Sequence, residues 1–179
     1  MNTNPTKTIL MMIDDDIEQY SNLELTALRY YGTELDVEMV LAEKVSKIID
    51  ELPRLLMNFP NAQIHAIFDY NMSLNEKGEQ KPTEMLFYDK RFQQFMQNGG
   101  IIIIYTGYPE QVIQSSVIIN ANKNTNLVLL LAEKAGVQME DVFRLLTGVP
   151  YEEIPEFKKF AKKHGYNAKK IINSLRMSA

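Results

Sequence analysis

The chain is predicted to fold as a doubly wound α/β sandwich, a five-stranded parallel sheet with helices on both faces. Strand-like apolar runs alternate with helically spaced segments along most of its length, and each helical crossover supports a parallel neighbour. The run Ile101-Ile102-Ile103-Ile104-Tyr105 is continuous instead of alternating, the pattern of a strand buried on both faces. Asp14 to Asp16, Asp69, Thr106 and Lys134 stand at or just past the ends of apolar runs. Sheets of this kind bind ligands at the carboxyl ends of their strands.

Residues 8–13 form the first strand. A helix over about 16–31 follows, with Ile17, Tyr20, Leu23, Leu25, Ala27 and Leu28 as its apolar stripe and Gly32 as its stop. Leu35 to Leu41 alternates apolar with polar, as a half-buried edge strand does. Helical spacing returns over 43–58, where Pro53 predicts a kink or two shorter helices. Ile64 to Phe68 is a short strand ending at Asp69, and the polar stretch Ser73 to Pro82 reads as an exposed loop. A helix over Thr83 to Gln97 is broken by Asn98-Gly99-Gly100. The central strand 101–105 precedes a helix over 109–119 and a polar loop from Asn120 to Asn126. Leu127 to Leu131 is the last strand, and 138–147 the next helix. Two short amphipathic helices follow, one carrying Phe157, Phe160 and Ala161 and the other Ile171, Ile172 and Leu175, separated by Gly165. The expected division is a domain over 1–148 and a basic helical extension over 149–179.

The chain has 179 residues, enough for one well-cored domain and an appendage. With 45% hydrophobic and 23% charged residues it has the balance of a globular protein. No apolar run approaches the roughly 18 residues of a membrane span, and the first residues lack a signal-peptide pattern, so no membrane role and a cytoplasmic location are expected. Without cysteine there is no disulfide, thiolate metal site or thiol nucleophile. The net charge of −4 disfavours nucleic-acid binding by bulk electrostatics. Residues 151–179 nonetheless carry seven Lys/Arg against three Glu; a basic tail of this kind is the one segment able to contact nucleic acid, and it can equally be a solvated helix face. No Gly-rich nucleotide-binding loop is present. His65 and His164 stand alone, without a partner at metal-ligand spacing, and the ten methionines read as core filler.

The acidic cluster is the strongest chemical signal. Adjacent carboxylates raise one another's pKa, and a hard cation such as Mg²⁺ relieves them. Capping a helix would need only one Asp. A carboxylate at Asp69 can attack phosphorus, a Thr106 hydroxyl can bond a phosphoryl oxygen, and the Lys134 ammonium can pair with another.

The segments Ile9-Leu10-Met11-Met12-Ile13-Asp14-Asp15-Asp16, Ala66-Ile67-Phe68-Asp69-Tyr70-Asn71-Met72 and Ile102-Ile103-Ile104-Tyr105-Thr106-Gly107-Tyr108, with Lys134, resemble the receiver domain of two-component response regulators over residues 7–148. The resemblance implies a flavodoxin-like fold and Asp69 as phosphoacceptor. It implies Mg²⁺ held by Asp14, Asp15, Asp69 and the carbonyl of Asn71, with Thr106 and Lys134 reading the phosphoryl group. It also implies a histidine kinase or phosphotransfer protein as donor, and output through a protein partner, a homodimer or the extension. Chemistry beyond self-catalysed transfer and autodephosphorylation is not expected, so the chain is not read as an enzyme. The sequence departs from the family at Ala135, where a proline usually follows the lysine, and at Leu131, where an aromatic residue often stands. Met72-Ser73 also lacks the usual proline. Two other functions compete. One is a receiver-like binding module that is never phosphorylated. The other is a haloacid-dehalogenase-like phosphatase, which would want an aspartate where Asn71 stands. A competing fold makes Leu131 to Val137 a helix of a helix-turn-helix repressor.

Overall fold

A computed structural model describes residues 7–14, 21–22, 25–26, 29, 37–72, 81–107, 112, 127–147 and 149–163. Five strands, β1 (Thr8–Ile13), β2 (Val37–Ala42), β3 (Gln63–Phe68), β6 (Gly100–Thr106) and β7 (Leu127–Glu133), form one sheet in the order β2-β1-β3-β6-β7. Every neighbouring pair is parallel. This is the flavodoxin-like order, in which the winding reverses between β1 and β3. The predicted fold class is therefore the observed one.

Helices cover both faces. α1 (Val45–Asn58) and α2 (Lys90–Gln97) pack together on one side, where Phe92 meets Phe68 of β3 at 6.0 Å between ring centroids. Phe68 is level with Ile104, so the next residue, Tyr105, faces the opposite side. There its hydroxyl donates to the Val137 carbonyl just before α3 (Met139–Leu146). Ser21, Asn22, Leu25, Thr26 and Arg29 are helical, and Arg29 reaches Glu140 of α3 at 3.1 Å. The rest of the helix expected over 16–31 lies outside the described residues. So do residues 73–80 of the expected loop, the loop 120–126, all of the 109–119 helix except the helical, buried Val112, and the amphipathic segment around Ile171.

Four local expectations change. Pro53 does not divide its segment: α1 runs unbroken. Pro53 is exposed, while the fully buried Ile48, Leu52 and Leu55 seat both halves of the helix on the sheet. Part of the expected loop is a hairpin instead, with β4 (Asn71–Met72) antiparallel to β5 (Lys81–Pro82). The single helix expected over 83–97 is a 3-10 turn, Thr83–Tyr88, followed by α2. Asp89 separates them. It is extended, and its carboxylate accepts from the Arg91 N–H at 2.8 Å, starting a new helix by capping it. Finally, β7 continues two residues beyond Leu131, pairing Glu133 with Thr106, which removes the helix of the repressor-like reading.

One core runs through the described chain. It includes Ile154 and Phe157, both fully buried, from the entry to and first turn of α4 (Pro155–Lys163). Of the methionines, Met11, Met12 and Met96 fill this core, but Met57 is 77% exposed and Met85 is also exposed. At the opposite end of β6 from its carboxyl terminus, Gly100 has φ +127°, and a Cβ there would lie 1.8 Å from the Ile64 carbonyl oxygen. Only glycine permits that approach between β3 and β6. No described helix is long and apolar enough to cross a membrane.

Candidate functional site

The sheet brings its polar strand ends together by continuing its own hydrogen-bond ladder one rung past each strand. The Asp14 N–H donates to the Ala42 carbonyl at 3.2 Å, and the Asp69 N–H donates to the Ile13 carbonyl at 2.8 Å. The Lys134 N–H donates to the Thr106 carbonyl at 2.9 Å. Each backbone is therefore held by a neighbouring strand. Asp14 and Asp69 end β1 and β3, the two strands between which the winding reverses, and that crevice is where such folds bind ligands.

Lys134 closes the crevice. Its Nζ lies 2.8 Å from Oδ2 of Asp14 and 2.8 Å from Oδ2 of Asp69. The three side chains are 20%, 4% and 13% exposed, in the order Lys134, Asp14, Asp69. Burial pulls the lysine pKa down, but the hydrogen bonds and charges of Asp14 and Asp69 outweigh it, so the ammonium is held above its ordinary value. The Tyr105 ring lies 5.8 Å from Nζ, within cation–π range. Burial raises the Tyr105 phenol pKa; the nearby ammonium opposes that and Asp14 adds to it.

Thr106 ends β6 fully buried and is joined to Lys134 through the backbone bond above. Gly107 beside it is exposed, and a Cβ there would meet nothing within 4 Å. Asp15, expected as a metal ligand, lies outside the described residues. Asn71 is described in its backbone, at the first position of β4. The Thr83 N–H donates to the Tyr70 carbonyl at 2.9 Å, which makes 70 and 83 a hydrogen-bonded pair. The next pair, Asn71 and Pro82, is then a non-hydrogen-bonded one. The Asn71 carbonyl thus turns away from β5, and Pro82 occupies a position where no N–H is needed.

These groups fit a small hard cation. Two carboxylates converge at the crevice, a backbone carbonyl is turned out of its hairpin, and all the donors are oxygen, the ligand type Mg²⁺ takes. Among the described residues no group of three or more His, Cys, Asp or Glu side chains converges, and the third acid of the expected set is Asp15.

Two residues escaped sequence reasoning. Thr83 is fully buried, and its hydroxyl donates to the carbonyl of Asp69 and, at 3.3 Å, lies in reach of that of Tyr70. It ties the far end of the hairpin to the backbone of Asp69 itself. No motif marks it, because its partners lie across the polar stretch. Tyr105 is the aromatic neighbour of Lys134, one strand away from the position where the family pattern directs attention. Its signal was visible as the one aromatic residue of β6. His65 is half-buried on β3, its Nδ1 has no hydrogen-bond partner, and burial lowers its pKa. His164 lies outside the described residues.

No protein-family model matches the chain, and no curated protein matches it. Among solved structures, the Salmonella typhimurium RcsB response regulator, studied for its conformational dynamism in DNA interaction, aligns with 97% of this chain and 90% of its own at 16% identity. The TM-score is 0.43, a superposition too loose to carry a fold or a function across.

Proposed function

We propose that the chain is a response-regulator receiver that accepts a phosphoryl group on Asp69 in a Mg²⁺-dependent manner. The observation that carries this reading is the Lys134 ammonium bonded to both Asp14 and Asp69 at the β1/β3 reversal. A carboxylate oxygen of Asp69 attacks phosphorus as the P–N bond of a phosphohistidine on a kinase or phosphotransfer protein breaks. The bonding pair leaves with the imidazole, and an acyl phosphate remains. Asp14, Asp15, Asp69 and the Asn71 carbonyl would hold Mg²⁺, which when bound screens the approach of two anions. Lys134 exchanges its carboxylate partner on Asp69 for a phosphoryl oxygen, and the buried Thr106 hydroxyl supplies a donor to another.

Loss of the Lys134–Asp69 pair would release the loop that runs from β7 into α3, the surface through which a partner or a second copy would read the change. Residues 149–179 offer the other output. Asn71, at the backbone start of a hairpin where a haloacid-dehalogenase-like enzyme needs an acid, speaks against a phosphatase.

Intact-protein mass after incubation with acetyl phosphate and Mg²⁺ tests the reading. The wild type is expected to gain one phosphoryl group, and neither Asp69→Asn nor metal-free protein should. No gain at saturating donor would leave a receiver-like binding module that is never phosphorylated.

A further inference from the structure

β2 is an outer strand of the sheet, and among the described residues no strand pairs with its free edge. The bond from the Asp14 N–H to the Ala42 carbonyl gives the phase of that edge. Ala42, and with it Val40 and Glu38, direct N–H and C=O toward β1. Val37, Met39 and Leu41 direct theirs outward. Beside this edge lies a groove of about 450 Å³. Residues Met39 to Ala42 line it on the strand side, and Lys47, Asp50, Glu51 and Arg54, one stripe of α1, line it on the helix side. A groove between an unpaired strand edge and a helix has the shape that accepts an extended peptide as an added strand.

The charges choose the guest. Lys47 is paired with Glu43 at 3.4 Å, and Arg54 is held by Glu38 at 2.9 Å and Glu51 at 2.7 Å. Asp50 is exposed and has no ion pair among the described residues. Arg91 feels its charge, but that guanidinium is committed to Asp89 at 2.7 Å. The charged lining residues and their ion-pair partners therefore hold four carboxylates against two cations, and one carboxylate is left to a visitor.

We propose that this groove docks an extended, basic segment of a partner protein as a sixth strand, with Lys or Arg side chains facing Asp50. A second copy of this chain is a poor guest, because its own β2 brings Glu38 and no cation. The chain's basic extension starts elsewhere: α4 packs against β7, at the opposite edge of the sheet from β2.

The probe is the peptide acetyl-Thr-Val-Lys-Val-Lys-Val-Thr-amide, titrated into the full chain and followed by backbone amide chemical shifts. Shifts are expected to centre on Met39, Leu41 and Asp50. Replacing the peptide's Lys with Glu, or making Asp50→Lys in the protein, should weaken binding about fivefold. N-methylating alternate peptide residues, in each phase in turn, should abolish binding in one phase only, a control that leaves the protein untouched. Shifts centred elsewhere, equal affinity for the Lys and Glu peptides, or equal loss in both N-methyl phases would overturn the proposal. So would self-association through β2 in sedimentation, or a large gain in affinity on deleting residues 164–179, since each would assign the groove to this chain itself.

Discussion

Lys134 is one cation serving two nearly buried carboxylates, so its removal strands both. Lys134→Ala should destabilise the fold by about 3 kcal/mol, and added Mg²⁺ should restore part of the lost Tm. A thermal melt with and without the metal reads both effects. The raised lysine pKa also has a sign. Its stabilisation is complete below the ordinary lysine value of 10.5 and is lost as pH climbs through the higher folded-state value. Alkaline unfolding of the wild type should therefore be steeper than that of Lys134→Met. His65 acts at the other end. Burial lowers its pKa below 6.5, so the unfolded chain binds the proton more readily and stability falls as pH drops below that value. The Tm loss between pH 7 and pH 5 should shrink in His65→Val. Thr83→Val would remove the hydroxyl that donates to the Asp69 carbonyl, at a cost of about 1 kcal/mol. Phosphorylation by acetyl phosphate should slow in that variant even at temperatures where it stays folded.

Asp89→Ala should cost about 1 kcal/mol by removing the cap of α2, measurable by denaturant titration. Its case shows where the chain could be read and where it could not. Strands β1, β3 and β6 were legible because their apolar runs, short in β3 and longer in β1 and β6, end abruptly in Asp or Thr. The acids at those ends were legible for the same reason. The break at Asp89 was hidden because Met85, Leu86, Phe87, Phe92, Phe95 and Met96 keep one helical rhythm across it; a local side-chain bond overrode the periodicity. The end of β7 was hidden for a different cause. Ala132-Glu133-Lys134-Ala135 suits a helical turn, and pairing with β6, about 27 residues earlier in the register, holds its first two residues extended before the turn at Lys134. Thr83 could not be found at all, since its role exists only once β4 and β5 meet.

The described part of the extension shares the core of the sheet. Ile154 and Phe157 are buried with Val142 and Phe143, and α4 packs on β7. Phe157→Ala should therefore cost about 3–5 kcal/mol, and chain cut after residue 148 should melt well below the full protein, which calorimetry on the two proteins would show. The polar crevice sits at one end of this sheet and Gly100 at the other. Under random mutagenesis with selection for the function proposed above, position 100 would tolerate no substitution, because every other residue carries the Cβ that the Ile64 carbonyl excludes. A survey of tolerated mutations would score it beside Asp69, and the intolerance at that end would report the spacing of two strands and nothing about phosphate.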